Sequence, residues 1–117
     1  MGQIISVTEL YSGANGAIVR DAILTTDAID LRKLRLDGYF SLHTIHVGGT
    51  LTISIHVCST LKGTYMAPTV PIVLGTALAA GSYFISFEPP LAPFMKILFD
   101  ETNTAACTSL KAWLNMQ

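Results

Sequence analysis

The stretch that decides the fold runs from residue 38 to residue 57 and reads GYFSLHTIHVGGTLTISIHV. Between Leu51 and Val57, apolar and polar residues alternate at every step. Such alternation suits a strand with one buried face, whereas a helix cannot satisfy it. Because Gly48 and Gly49 can supply the positive φ angles of a two-residue turn, the stretch predicts a β-hairpin.

One face of this predicted hairpin is apolar, and an isolated hairpin is only marginally stable in water. We therefore expect the apolar face to pack on a second sheet or on another subunit. In the register that the turn predicts, the facing pairs are Phe40 with Val57, Leu42 with Ile55, Thr44 with Ile53, and His46 with Leu51.

The rest of the chain predicts further short strands, separated by turn residues at spacings of about ten residues, as in all-β sandwiches. Residues 27–36 fit either a short helix or two half-strands, and extended structure is favoured. Pro68 and Pro71 place the following segment, residues 72–79, at a sheet edge or in an irregular crossing. Residues 101–104 suit a hairpin loop between the last two strands. The prediction is one domain over residues 1–117, an antiparallel β-sandwich of jelly-roll type with about eight strands.

The composition is nearly neutral and unusually apolar. The formal net charge is −1, and nucleic acid is not an expected partner because phosphate binding needs a clustered positive field. Only 13% of residues are charged and 50% are hydrophobic, yet no apolar run reaches the roughly 18 residues of a membrane span. The first residues lack the basic start of a signal peptide. We therefore expect no membrane partner, and the apolar excess indicates burial between subunits.

No catalytic or metal-binding motif is evident. The serines lack a G-x-S-x-G context, and Asp100 and Glu101 are adjacent acids expected in a solvated turn. His43 and His56 share the face opposite the apolar one in the predicted hairpin, while His46 lies at the turn end of the apolar face. Because no third ligand accompanies the first two histidines, they are assigned a structural or surface role. The chain is predicted to be non-enzymatic, with no cofactor and no metal.

Cys58 and Cys107 both fall in strand-like segments. Without a signal peptide, both thiols are expected to be reduced and packed. They do not form a C-x-x-C motif, and no nearby residue in the sequence is expected to lower a thiol pKa.

Large side chains also occur on strand faces that would point away from the core. Within residues 81–87 the odd positions form one aromatic face, and Phe84 lies on the other. Leu98 and Trp113 likewise lie on the strand face opposite that of the residues next to them. Both sides of a C-terminal sheet would therefore be covered. We predict that one cover is a neighbouring subunit, with an oligomer interface that includes Phe84, Leu98 and Trp113.

Several short motifs resemble a known class of protein. They are AIDLR at residues 28–32, GYFSL at 38–42, KGTY at 62–65 and PPLAPFMKI at 89–97. Together with the alternating strand that ends in Cys58-Ser59, they resemble small β-sandwich structural proteins of tailed bacteriophages and prophages, over residues 27–114. Lys62 departs from that class, which usually has Asp or Asn before the turn glycine. The resemblance implies a virion component, such as a capsid decoration or a head or tail accessory protein.

The leading interpretation is a non-enzymatic structural protein that forms a homo-oligomer. The resemblance adds a place in a phage virion, assembled in the host cytoplasm with other virion proteins as partners. The alternative is a carbohydrate- or ligand-binding β-sandwich module, with a stacking platform on Trp113 beside Tyr39 or Tyr65. A third interpretation, a small hydrolase or metal site, would require His close to Asp or Glu.

Overall fold

The computed structural model describes residues 6–32 and 39–116. Within these ranges the chain forms nine strands and one 3₁₀ turn (Ala14–Gly16), and no α-helix. The strands are β1 (Ser6–Gly13), β2 (Ile23–Thr25), β3 (Ile29–Asp30), β4 (Phe40–Val47), β5 (Leu51–Cys58), β6 (Ile72–Leu78), β7 (Gly81–Phe87), β8 (Phe94–Glu101) and β9 (Ser109–Met116).

These strands form two antiparallel sheets packed face to face. One sheet has the order β1-β9-β4-β7, and the other has the order β2-β8-β5-β6 with β3 also paired to β8. Strands β2 and β3 lie along the same neighbour, because Ile23–Thr25 pairs with residues 98–100 and Ile29–Asp30 with residues 94–95. They are one interrupted strand position, so the sandwich has the eight positions that the sequence predicted.

The winding of the chain is that of a jelly roll. The first strand pairs with the last (β1 with β9), the interrupted β2 and β3 pair with β8, β4 pairs with β7, and β5 pairs with β6. Each pair is thus nested inside the one before it, which is how a jelly roll is wound. The predicted fold class is confirmed.

The hairpin predicted for residues 38–57 is wrong, although both of its strands exist. Strand β4 lies between β9 and β7, and β5 lies between β8 and β6 in the other sheet, so neither has a free side for the other. Gly48 and Gly49 do have positive φ angles, of 76° and 75°, but they turn the chain from one sheet to the other. A Cβ on Gly48 would come within 2.6 Å of the Ala106 carbonyl oxygen.

The predicted C-terminal meander is wrong for the same reason. Strand β8 belongs to one sheet and β9 to the other. Residues 101–104 therefore begin a crossing between the sheets and are not a hairpin loop, and no single C-terminal sheet contains both Leu98 and Trp113.

The core fills the space between the sheets, and the predicted alternation places it correctly. Strand β4 and its neighbour β9 bury their even-numbered residues between the sheets. Strands β5 and β8 of the facing sheet bury mainly odd-numbered residues there. Tyr11 meets Phe99 across the sandwich with ring centroids 5.8 Å apart and an interplanar angle of 81°. The largest fully buried apolar side chains are Phe40, Phe99, Leu42, Leu51, Ile53, Ile55, Met95, Ile97, Leu110 and Leu114.

Two other predictions concern segments outside the core. The segment after the prolines is the edge strand β6, so of the two predicted alternatives the sheet edge is the one found. Its register against β5 shifts twice. The extended structure favoured for residues 27–36 is found at Ile29–Asp30. Residues 33–38, together with the start of the first predicted strand at residues 3–5, lie outside the described residues.

Candidate interaction surface

A row of rings crosses the outer face of the β1-β9-β4-β7 sheet. Trp113 of β9, His43 of β4 and Phe84 of β7 are register partners in successive strands, so their side chains stand side by side on one face. Phe84 is 64% exposed, whereas His43 and Trp113 are half-buried. We call Trp113, His43 and Phe84 the aromatic row.

The rings of the aromatic row pack closely on one another, with His43 and Phe84 stacked and His43 and Trp113 tilted. The His43 and Phe84 centroids lie 4.9 Å apart with an interplanar angle of 27°, and those of His43 and Trp113 lie 4.9 Å apart at 32°. This spacing is close to the separation of neighbouring strands, about 4.8 Å. The rings therefore turn their faces toward each other and their edges toward solvent, which leaves the outer face of Phe84 open.

Polar residues flank the aromatic row on the same face. Ser41 is paired with Asn115 and with Ser86, and the Asn115 side-chain amide donates a hydrogen bond of 3.1 Å to the Ser41 hydroxyl. Glu9 is the register partner of Trp113 at the β1 end. The row therefore has polar neighbours on this side, whereas Ile45 and the exposed Val47 are apolar residues of β4 on the same face.

The structure brings together two of the three predicted interface residues. Phe84 and Trp113 both belong to the aromatic row, with His43 between them. Leu98 lies on β8, where its partners are Thr25 and Ser54 of the other sheet. Because the sheets pack with their inner faces together, Leu98 is on the opposite side of the sandwich from the aromatic row. Sequence reasoning missed His43 as a member of the row, since its partners come from strands 41 and 70 positions away in the chain.

The three histidines are dispersed. His43 and His56 were predicted to share one face of a hairpin, but they lie on different sheets, on opposite outer faces of the sandwich. His46 lies on the buried face near the turn, as predicted, with 2% of its surface exposed. Burial lowers the pKa of His46, and backbone groups of Leu78 and Gly49 oppose that shift. Among the described residues no hydrogen bond of good geometry reaches its ring nitrogens, and the lowered pKa favours the neutral ring.

Glu101 was predicted to be solvated and is instead fully buried, with 0% of its surface exposed. Its carboxylate accepts hydrogen bonds from the backbone N–H groups of Asp21, Thr50 and Thr104, each at 3.0 Å, and from the Thr104 hydroxyl at 2.9 Å. Burial alone would raise the pKa of Glu101, but the hydrogen bonds from Thr50, Asp21 and Thr104 lower it to about 2. The carboxylate is therefore a structural anchor and remains ionised at neutral pH.

The cysteines are both free thiols, with Cys107 buried and Cys58 half-buried. The expectation that nothing would lower a thiol pKa is wrong for Cys58. Its pKa is lowered by the Thr60 backbone N–H and by the Thr60 hydroxyl, whose oxygen lies 3.7 Å from the sulfur. Burial raises the pKa of Cys107.

Of the two tyrosines named for the sugar platform, Tyr65 does not lie beside Trp113. Tyr65 packs against Lys96 of β8, with the ammonium 4.5 Å from the ring centroid, and so lies on the sheet opposite Trp113. Tyr39 precedes β4 and donates a hydrogen bond to Glu88 at 3.5 Å. Trp113 is flanked by His43 and Glu9 instead.

Among the described residues, no group of three or more His, Cys, Asp and Glu side chains is placed to hold a metal ion. In the same residues no helix has the length and apolar character that crossing a membrane requires. No protein-family model matches the chain, and no curated protein matches it either.

Proposed function

We propose that this chain is a non-enzymatic structural protein that self-associates, and that it serves in a phage virion as a capsid decoration or as a head or tail accessory protein. The observation that carries the proposal is the aromatic row, which ends in a Phe84 side chain that is 64% exposed. Burying a phenylalanine side chain is worth about 1.5–3 kcal/mol. A second protein surface over the row would supply that burial.

The fold supports the proposal by analogy. Jelly rolls occur in viral capsid proteins and also in lectins, and a fold does not by itself define a function. The motifs at residues 28–32, 62–65 and 89–97 add the resemblance to phage structural proteins. The near-neutral charge, −1, is compatible with close packing of many copies, since little self-repulsion opposes it.

The alternative of a carbohydrate-binding module is less well supported by the ring geometry. A sugar stacks on an open aromatic face, but His43 and Trp113 turn their faces toward each other. Within the aromatic row, only the outer face of Phe84 is open, and it lies at the sheet edge. Calorimetric titration of the protein with simple sugars should therefore give no binding heat.

Light scattering after size-exclusion chromatography tests self-association. We expect the wild-type chain to elute as a defined multiple of its own mass. The Phe84→Asp variant should elute as a smaller species, because an aspartate in the row would bury a charge in any interface. Its far-ultraviolet circular dichroism should remain of β type, since Phe84 contributes little to the core.

Leu98→Asp is the matched control, because Leu98 lies on the outer face of the other sheet. This variant should keep the wild-type mass. A wild-type chain that stays monomeric up to high concentration would refute the proposal. The virion assignment is tested separately by mass spectrometry of purified phage particles, in which the chain should be present in many copies, and its absence from them would contradict that assignment alone.

A further inference from the structure

Three of the four sheet edges in the described structure are protected against pairing with another chain. Strand β1 has a register shift between Glu9 and Tyr11. The β2 and β3 position consists of two pieces of three and two residues, and β6 has two register shifts and a positive φ of 49° at Ala77. Bulges and short strands are devices by which natural proteins prevent edge-to-edge association.

The fourth edge, β7, has no bulge and no break, and its one positive φ, of 154°, is that of Gly81 at its first position. Its seven residues run in unbroken register along β4 and include no charged residue and no proline. In the described part of the chain no strand lies on its other side. A long, regular and uncharged edge of this kind is a template for strand addition.

The backbone groups that β7 leaves unpaired can be identified. The Thr108 N–H donates a hydrogen bond of 2.9 Å to the Val47 carbonyl, so the backbone of Val47 points toward β9. Since N–H and C=O directions alternate along a strand, odd residues of β4 point toward β9 and even residues toward β7. The even residues of β4 pair with odd residues of β7. The outward groups on β7 are therefore those of Ser82, Phe84 and Ser86.

These outward groups are self-complementary about Phe84, which is the central residue of Gly81–Phe87. If a two-fold axis passes through the middle of the strand, Phe84 pairs with Phe84 of the second copy, and Ser82 pairs with Ser86 of the second copy. Every outward N–H then meets an outward C=O, as in a hydrogen-bonded antiparallel pair with Cα atoms about 5.5 Å apart. The seven residues overlap along their full length.

The aromatic row favours the same arrangement. It is a stack with a repeat of 4.9 Å, and it stops at the open outer face of Phe84 above the free edge. Across the two-fold axis the next ring would be Phe84 of the second copy. The stack would then continue without interruption from one Trp113 to the other, and both exposed phenylalanines would be covered.

We propose that β7 pairs antiparallel with β7 of a second copy, about a two-fold axis at Phe84, to make one eight-stranded sheet. The proposal deepens the proposed function and rests on it, because it names the surface through which the chain self-associates. It also explains why one edge alone lacks protection: that edge is used.

Cysteine cross-linking tests the register, in a Cys58→Ser background so that the half-buried native thiol does not interfere. Ser82→Cys and Ser86→Cys chains mixed in equal amounts should form a disulfide-linked dimer under mild oxidation, since paired Cα atoms about 5.5 Å apart suit a disulfide. Either variant alone should stay unlinked, because the Cα atoms of the introduced cysteines in the two copies would be about 14 Å apart. Val73→Cys, on the edge strand β6 of the other sheet, should also stay unlinked.

Ser86→Pro is an independent test, since it removes one outward N–H and no bond to β4. We expect it to weaken dimerisation at least tenfold in light scattering while the thermal melt stays cooperative. If the wild type is oligomeric but the mixture does not cross-link, or Ser82→Cys cross-links with itself, the edge pairing is refuted and self-association through another surface stands. If the wild type is monomeric, both proposals fail.

Discussion

Glu101 ties three separate loops together at one end of the sandwich. Its two carboxylate oxygens accept hydrogen bonds from the turn at Asp21, from Thr50 after the two-glycine corner, and from Thr104 in the crossing to β9. A buried carboxylate is costly unless such donors surround it, and here the donors are aimed at the ionised form. The residue therefore holds the loops in place only while it carries its charge.

The free energy of unfolding should accordingly depend on the ionisation of Glu101. Its pKa is about 2 in the folded chain against an ordinary value of 4.5, so the unfolded chain binds more protons between these pH values. The stabilisation is complete above about pH 4.5 and is lost as the pH falls toward 2. Urea unfolding at several pH values should show this loss in the wild type, and a much smaller loss in Glu101→Gln.

Glu9→Gln is the control, since Glu9 is an exposed carboxylate on the outer face of β1. It should retain the wild-type dependence on pH. If Glu101→Gln loses as much stability on acidification as the wild type and Glu9→Gln do, the anchoring role of Glu101 is wrong.

Part of this arrangement could be predicted from the sequence. Met95, Ile97 and Phe99 lie two residues apart and so share one face of β8, and the same period of two places Glu101 on that buried face. The donors could not be predicted, because Asp21 and Thr50 come from positions 80 and 51 residues away. Local alternation reports which face of a strand is buried, but it carries no information on which distant backbone groups reach that face.

Strands β4 and β5 also show that the sequence predicts which face of a strand is buried but not which strands pair with it. The alternation in residues 51–57 correctly predicts which side chains of β5 are buried. The even-numbered face of β4 is also buried as predicted, although it includes the polar Thr44 and His46 while the apolar Val47 is exposed. A turn of two glycines with positive φ is compatible both with a hairpin and with a corner between sheets, and the hairpin was the wrong choice. The corner forms because β9 and β7 occupy both sides of β4 and leave no place for β5. Both of these strands come from much later in the chain.

A pair of substitutions in β5 tests the burial pattern. Ile53 is fully buried between the sheets, so Ile53→Ala should lower the free energy of unfolding by about 2–5 kcal/mol through lost contacts and a residual cavity. Ser54 points to the outer face, and Ser54→Ala should change it by no more than about 0.5 kcal/mol. Thr52 is a poorer control, because its hydroxyl accepts a hydrogen bond from the Ala77 N–H. Equal losses in chemical denaturation would show that the faces of β5 are assigned wrongly.

The nested winding makes the two sheets depend on strands that are far apart in the sequence. Strand β9 lies between β1 and β4, so the last strand completes the middle of a sheet that the first strand begins. Bringing such distant segments together costs chain entropy before any contact repays it. The sequence could predict a sandwich of short strands, but this order of strands is a property of the complete chain.

Removing the last strand, β9, should therefore destabilise the fold more than removing the start of the first strand, β1. A chain that ends at Thr108 lacks β9 and with it the buried side chains of Leu110, Ala112, Leu114 and Met116. It also leaves β1 and β4 without their shared neighbour, so we expect no cooperative thermal transition by circular dichroism. Of the described strand residues, a chain that begins at Glu9 loses the outer part of the edge strand β1, where Val7 and Thr8 are exposed. It should melt cooperatively at a lower temperature than the wild type. A cooperative transition in the chain ending at Thr108 would mean that the β1-β9-β4 ladder does not organise the fold.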